Sequence, residues 1–212
     1  MKGPAPRGVP PYWARAKRQL AERDPVMKSL IRRHPGVALV GRGEAFSTLA
    51  RSIVGQQISV KAADRIWVRF IEAVGEVTPP GVLKAGERNL AGAGLSRRKV
   101  EYLLDLARHV ESRKLRPAAW AAMDDDAVIA ELTRVRGIGR WTAEMFLIFT
   151  LLRPDVLPVD DLGLLRAAGI HYLEGRVPAK AELLELARPW QPWRTVATWY
   201  LWRSLDPVPV EY

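Results

Sequence analysis

The chain has 212 residues, with 33 Lys and Arg against 23 Asp and Glu, a formal net charge of +10 and no cysteine. That balance points to a polyanionic partner, and the missing thiols exclude disulfides, thiol catalysis and an all-cysteine iron–sulfur cluster. No run is long and apolar enough to span a bilayer, and His34, His109 and His171 are scattered without zinc spacing.

Along the chain, Met1 to Gly8 carry charge without an apolar core. They are expected to form a short disordered arm able to touch DNA, not a secretory signal. Val37 to Val40 is short enough to be a loop entering the core. From there the periodicity is helical. Phe46, Leu49 and Ile53 fall on one face. Ser59 can cap a helix whose inward stripe is Ala62, Ala63, Ile66, Trp67, Phe70 and Val74, with Gly75 suited to its end. Thr78-Pro79 is a cap with a first-turn proline. Ser96 can cap a helix that turns Val100, Leu103, Leu104, Ala107 and Val110 inward. Asp124, Asp125 and Asp126 offer caps for the helix carrying Val128, Ile129 and Leu132.

The most informative stretch follows, Leu132 to Ala143, where a helix runs into Arg136-Gly137-Ile138-Gly139 and a second helix leaves. Gly137 and Gly139 permit tight turning and close approach, and Ile138 can plug between the helices. The second helix, opening at Arg140 and Thr142, offers unpaired N–H groups and a partial positive charge. A phosphate fits there, in a grip that does not read base identity. Trp141, Met145, Ile148, Phe149 and Leu152 form its inward stripe. Pro154 and Pro158 then stiffen an extended crossing. Asp160 and Asp161 precede a helix through Leu164, Leu165 and Ala168 to Gly169, Pro178 opens another, and a last helix runs from about Trp193 to Ser204.

Chemistry can be located from the company these residues keep. One of Asp160 and Asp161 can cap the following helix. An acid in a DNA-binding chain is repelled by phosphates, and cationic character developing on a sugar is a reason to keep one there. Trp190, Trp193, Trp199 and Trp202 crowd the C-terminal part. Most of them are expected in the core, but indoles also stack on an extruded, electron-poor base. In Gly55-Gln56-Gln57-Ile58-Ser59, Gln57 or Ile58 can enter the base stack as a wedge. Arg97, Arg98 and Lys99 form a basic run after Gly92 and Gly94, with Arg97 and Lys99 as candidate phosphate contacts.

The Gly-Gln-Gln-Ile-Ser turn, the glycine hairpin, Asp161 and the Trp-Gln-Pro-Trp-Arg stretch at 190–194, in that order, resemble the helix–hairpin–helix (HhH-GPD) DNA glycosylases. The closest likeness is to the bacterial 3-methyladenine DNA glycosylase II (AlkA) type, over about Gly43 to Trp202. The resemblance implies an all-α fold of two helical lobes flanking a cleft. One lobe would span 45–153, and the other 1–44 with 154–212. It implies a compact form, because the sequence before Phe46 is too short for the β-rich domain with which some relatives begin. The implied activity is monofunctional excision of alkylated bases from double-stranded DNA in base excision repair, by a cytoplasmic bacterial monomer.

By the same resemblance, Asp161 is the catalytic carboxylate and Asp160 a structural acid. Trp141, Met145 and Trp202 line the base pocket, and Gln57 sits at the wedge. The carbonyls of Thr133, Val135 and Ile138 would hold a Na+ or K+ ion, with no other cofactor required and no iron–sulfur cluster. Relatives that cut the strand carry a lysine where Trp141 stands, so lyase chemistry is not expected. The principal alternative is a non-enzymatic helix–hairpin–helix DNA-binding module, which accounts for the charge and the hairpin but not for Asp161 with Trp202.

Overall fold

A computed structural model describes residues 8–205. Among the described residues it holds eleven α-helices, two short 3₁₀ turns and no strand. The helices are α1 (Trp13–Arg23), α2 (Pro25–Arg33), α3 (Ala45–Gly55), α4 (Val60–Val74), α5 (Pro79–Gly92), α6 (Arg97–Glu111), α7 (Asp125–Leu132), α8 (Arg140–Phe149), α9 (Leu162–Tyr172), α10 (Lys180–Leu186) and α11 (Arg194–Leu205). The all-α expectation holds, and 37–40 is loop. The expected N-terminal arm lies, apart from Gly8, outside the described residues. Helices α1 and α2 go beyond the elements expected from the sequence.

Local capping sets most helix starts. Ser59 accepts from Ala62 N at 3.3 Å, Thr78 from Gly81 N at 3.2 Å and Ser96 from Lys99 N at 3.4 Å. Of the three acids at 124–126, Asp124 is the cap, accepting from Ala127 N at 2.7 Å.

The described chain falls into two compact units, one of Arg42–Phe146 and one of residues 8–41 with 147–205, the division falling within α8. In the first unit, α5 packs on α6 and α4, and α3 packs on α4 and α6. Helix α4 is an outer helix. Phe70 is buried and stacked on Trp67 at 5.1 Å, whereas Ile66, Trp67 and Val74 are only half-covered. A buried acid ties the loop before α7 to that helix. Glu131 Oε2 accepts from Trp120 Nε1 at 2.8 Å, and Oε1 accepts from Arg116 Nε and NH2 at 3.0 and 2.7 Å. Burial alone would raise its pKa, but the Trp120 and Arg116 donors outweigh it and hold Glu131 below the ordinary carboxylate range.

The hairpin between α7 and α8 is braced by three residues of the same unit. Gly137 has φ +82°, and a Cβ there would stand 2.1 Å from Tyr102 Cδ2 of α6. Asp105 Oδ2 accepts from Arg136 N at 2.9 Å, and Gln56 Nε2 donates to Gly137 O at 2.8 Å. Ile138 is buried, as a plug between helices should be.

In the second unit, α11 packs on α9, α2 and α1. Asp24 is its buried polar hub. Oδ1 caps α2 through Val26 N and Met27 N at 2.8 and 3.0 Å, and Oδ2 accepts from Tyr172 OH at 2.7 Å and Trp190 Nε1 at 2.9 Å. Burial, the Asp24 charge and that hydrogen bond push the Tyr172 pKa up. Helix α9 runs past Gly169 to Tyr172 instead of ending there. A Cβ on Gly169 would meet Arg176 O at 2.6 Å, so this glycine serves a close backbone approach, not a helix end.

Two outcomes are expected. Gly137→Ala should cost about 2 kcal/mol or more, because it meets both the left-handed backbone and the Tyr102 ring; an unchanged denaturation midpoint would contradict this bracing. Because the folded-state pKa of Glu131 is depressed, its contribution is complete above the ordinary glutamate range and is lost as pH falls through the folded value. The stability gap between the native chain and Glu131→Gln should therefore narrow between neutrality and about pH 3, as read by denaturation midpoints across that range. A constant gap would remove Glu131 as the source.

Candidate functional site

In the second unit, the proline crossing is laced to the start of α11. Thr195 Oγ1 donates to Arg153 O at 2.6 Å and accepts from Val156 N at 3.0 Å, while Thr195 N donates to Pro154 O at 3.1 Å. Arg194 grips Asp155 with both ends of its fork, Nε to Oδ1 at 2.8 Å and NH2 to Oδ2 at 2.9 Å. The crossing so anchored delivers the acid pair, and its two members part company. Asp160 is half-exposed and ion-paired with Lys180. Asp161 turns inward and is 4% exposed.

Asp161 Oδ1 accepts from Leu164 N at 2.6 Å, capping α9, and from Trp202 Nε1 of α11 at 2.7 Å. The Trp202 ring stacks on Phe149, with centroids 5.8 Å apart and planes 13° apart. Gly163 lies against this pair. Next to the buried acid, Leu162 is 81% exposed. The outcome is a carboxylate fixed by two donors on one oxygen, with an indole at its side. An arrangement of this kind can stabilise positive charge developing on a bound group.

The other indoles of the C-terminal part have different employment. Trp190 is fully buried on Asp24, Trp193 donates to Gln19 Oε1 at 2.6 Å, and Trp199 meets Trp13 edge-on at 5.2 Å. Trp202 is the indole of this group that donates to Asp161.

In the first unit, Trp141 is 37% exposed, Met145 is buried and Thr142 is half-buried. Gly139 has open space where a Cβ would point, and its backbone is not left-handed. Arg140 is drawn to Glu144 at 3.0 Å and faces Asp126 at 3.5 Å. Arg97 reaches into solvent with only a 3.3 Å contact to Glu101. Lys99 has a structural task, donating from Nζ to Val54 O at 2.7 Å near the end of α3, and burial lowers its pKa. Gln57 is exposed with φ +56°, and Ile58 beside it is exposed. Val135 O accepts from Ile138 N at 3.1 Å, whereas the carbonyls of Thr133 and Ile138 accept no backbone hydrogen bond among the described residues.

The sequence assigns Phe149 only to an inward stripe and Gln56 only to a turn, and gives Tyr102 and Gly163 no role. Gln56, Phe149 and Tyr102 act through tertiary contacts without a local signature. Gly163 carries a signal, a glycine in the first turn of a capped helix where alanine would serve better.

Among the described residues no helix is long and apolar enough to cross a membrane, and no cluster of His, Asp and Glu could hold a metal ion. The chain is 32% identical to a DNA-3-methyladenine glycosylase of Bacillus subtilis over 199 residues, which cover 88% of this chain and 66% of the relative, just under two thirds of its length. A solved DNA-3-methyladenine glycosidase from Bacillus halodurans superposes with a TM-score of 0.85 at 36% identity, covering 93% of this chain and 92% of that one. The 3-methyladenine DNA glycosylase of Schizosaccharomyces pombe, solved in complex with abasic DNA, matches with a TM-score of 0.75 at 29% identity, covering 93% and 99%. The model of the HhH-GPD superfamily of base excision DNA repair proteins matches residues 50–192, and the chain belongs to that superfamily.

Proposed function

We propose that the chain is a monofunctional DNA glycosylase, which releases alkylated bases such as 3-methyladenine from double-stranded DNA and leaves an abasic site. One observation carries this reading: a buried carboxylate, Asp161, held by an indole and a helix N-terminus in a chain of net charge +10. The relatives' names support it, and a DNA substrate places the protein with the chromosome.

In this reading, the main-chain N–H groups of Gly139 and the first turn of α8 hold a phosphate. Arg97 adds charge to the grip, while Arg140 and Lys99 contribute less, since Glu144 and Val54 O already engage them. Gln57 or Ile58 fills the gap left by the extruded nucleotide. The carbonyls of Thr133 and Ile138 fit a monovalent cation as hard oxygen donors, joined by Val135, and such an ion would supply positive charge beside a phosphate. The chain is taken to act as a monomer, since one lesion demands no two-fold axis.

At the reacting sugar, the bond from C1′ to the base nitrogen breaks and its electron pair leaves with the base. A base that carries alkyl-derived positive charge departs neutral, so no strong general acid is needed. The Asp161 carboxylate stabilises the positive charge at C1′ and orients the water that attacks it; the water's surplus proton passes to solvent. Trp202 holds the carboxylate in place and borders the base. Pocket roles for Trp141 and Met145 rest on the family resemblance. With no lysine at position 141 the strand stays intact.

Asp161→Asn preserves a capping side chain and an oxygen for Trp202, so the variant should fold and bind DNA while base release falls about 100-fold or more. Single-turnover release from a methylated duplex measures this, and near-normal release would remove Asp161 from the reaction. If the native chain makes no abasic sites on alkylated DNA, the binding-module reading takes its place. Gly139→Ala adds a methyl that meets no protein atom. Its stability should be unchanged while duplex affinity drops about tenfold through lost phosphate approach. Unaltered affinity in a fluorescence-anisotropy titration would place the phosphate elsewhere.

A further inference from the structure

Gly163 is the second residue of α9, with an ordinary backbone that any residue can adopt. Glycine is among the poorest helix formers, so local structure alone favours alanine at this position. The surroundings supply a reason for glycine. A Cβ built on Gly163 would stand 3.2 Å from Asp161 Oδ1, 3.3 Å from Trp202 Cδ1 and 3.4 Å from Trp202 Nε1. Its three nearest neighbours are thus the acceptor, the donor and the carbon next to the donor of the 2.7 Å Asp161–Trp202 hydrogen bond.

Neither partner has an easy retreat. Asp161 Oδ1 is pinned to Leu164 N at 2.6 Å, and the Trp202 ring is stacked on Phe149. A methyl group at 163 would press on both ends of the bond, and one of them would have to yield by a few tenths of an ångström.

We propose that Gly163 is a positioning residue, whose missing side chain sets the location of the Asp161 carboxylate by letting the Trp202 indole close on it. The inference rests on the reading of Asp161 as the reacting acid. Gly163 touches neither sugar nor base in this role; it acts through Asp161 and Trp202. Stabilising a cation at C1′ depends on where the carboxylate stands, so a small displacement lowers the chemical rate without altering the grip on DNA.

The test compares Gly163→Ala in the native chain and in a Trp202→Phe background, which has no indole N–H to press upon. Three quantities are read: the Trp202 indole N–H resonance by NMR, single-turnover release of 7-methylguanine from a defined duplex, and affinity for a duplex with a stable abasic-site analogue. In the native background, Gly163→Ala should shift the indole resonance, slow release about tenfold and leave affinity and thermal midpoint unchanged. In the Trp202→Phe background the same substitution should slow release by less than twofold. An unmoved indole resonance overturns the proposal, as does an equal loss of rate in both backgrounds. A shifted resonance with an unchanged rate also overturns it. In that case Asp161→Asn shows whether the acid itself has failed: a collapsed rate retains Asp161 and discards only Gly163.

Discussion

A carboxylate removed from water must be given donors, or it becomes a costly unpaired charge. Among the described residues, an indole meets this demand at Asp24, Glu131 and Asp161. Trp190 donates to Asp24 at 2.9 Å, Trp120 to Glu131 at 2.8 Å and Trp202 to Asp161 at 2.7 Å. In the first two, further donors from a tyrosine, an arginine or helix N–H groups knit separate segments together. In the third, the donors fix an acid beside an exposed leucine at the start of α9. One physical device therefore serves both the cores of the units and the proposed chemistry.

The positive charge is divided in a similar way. Arg116, Arg194 and Arg140 face Glu131, Asp155 and Glu144, and Lys99 serves a carbonyl at the end of α3. These cations organise the protein before they can attract a polyanion. The hairpin is different, because its resources are main-chain N–H groups with open space over Gly139. A backbone contact keeps its geometry without freezing long side chains, which suits the sequence-independent phosphate grip proposed for this hairpin.

What was legible in the sequence follows the range of the forces involved. The caps at Ser59, Thr78, Ser96 and Asp124 depend on residues three positions away, so their pattern is visible in the string. The glycine hairpin and its Ile138 plug are legible for the same reason. Helix α1 buries only Trp13, Ala16 and Leu20 among many charged residues, a stripe too thin to read. Asp24-Pro25 did carry a start signal for α2. Gln56 could not be told from Gln57, because the difference is a hydrogen bond to Gly137, 81 positions away. Gly169 looked like a helix end because its true neighbour, Arg176 O, is brought there by a turn. The roles of Trp190 and Trp202 depend on which acid each meets, and composition says only that indoles are abundant.

The order of the chain also sets an order of assembly. Residues 42–146 complete the unit with the hairpin, whereas the other unit joins residues 8–41 to 147–205. Its acid is placed by an indole 41 positions further on. During synthesis from the amino end, every residue of the hairpin therefore leaves the ribosome before Trp202 exists. On the proposed reading, a nascent or prematurely terminated polypeptide that stops short of α11 carries the hairpin without the indole that orients its acid, so it would leave intact nucleotides unaltered.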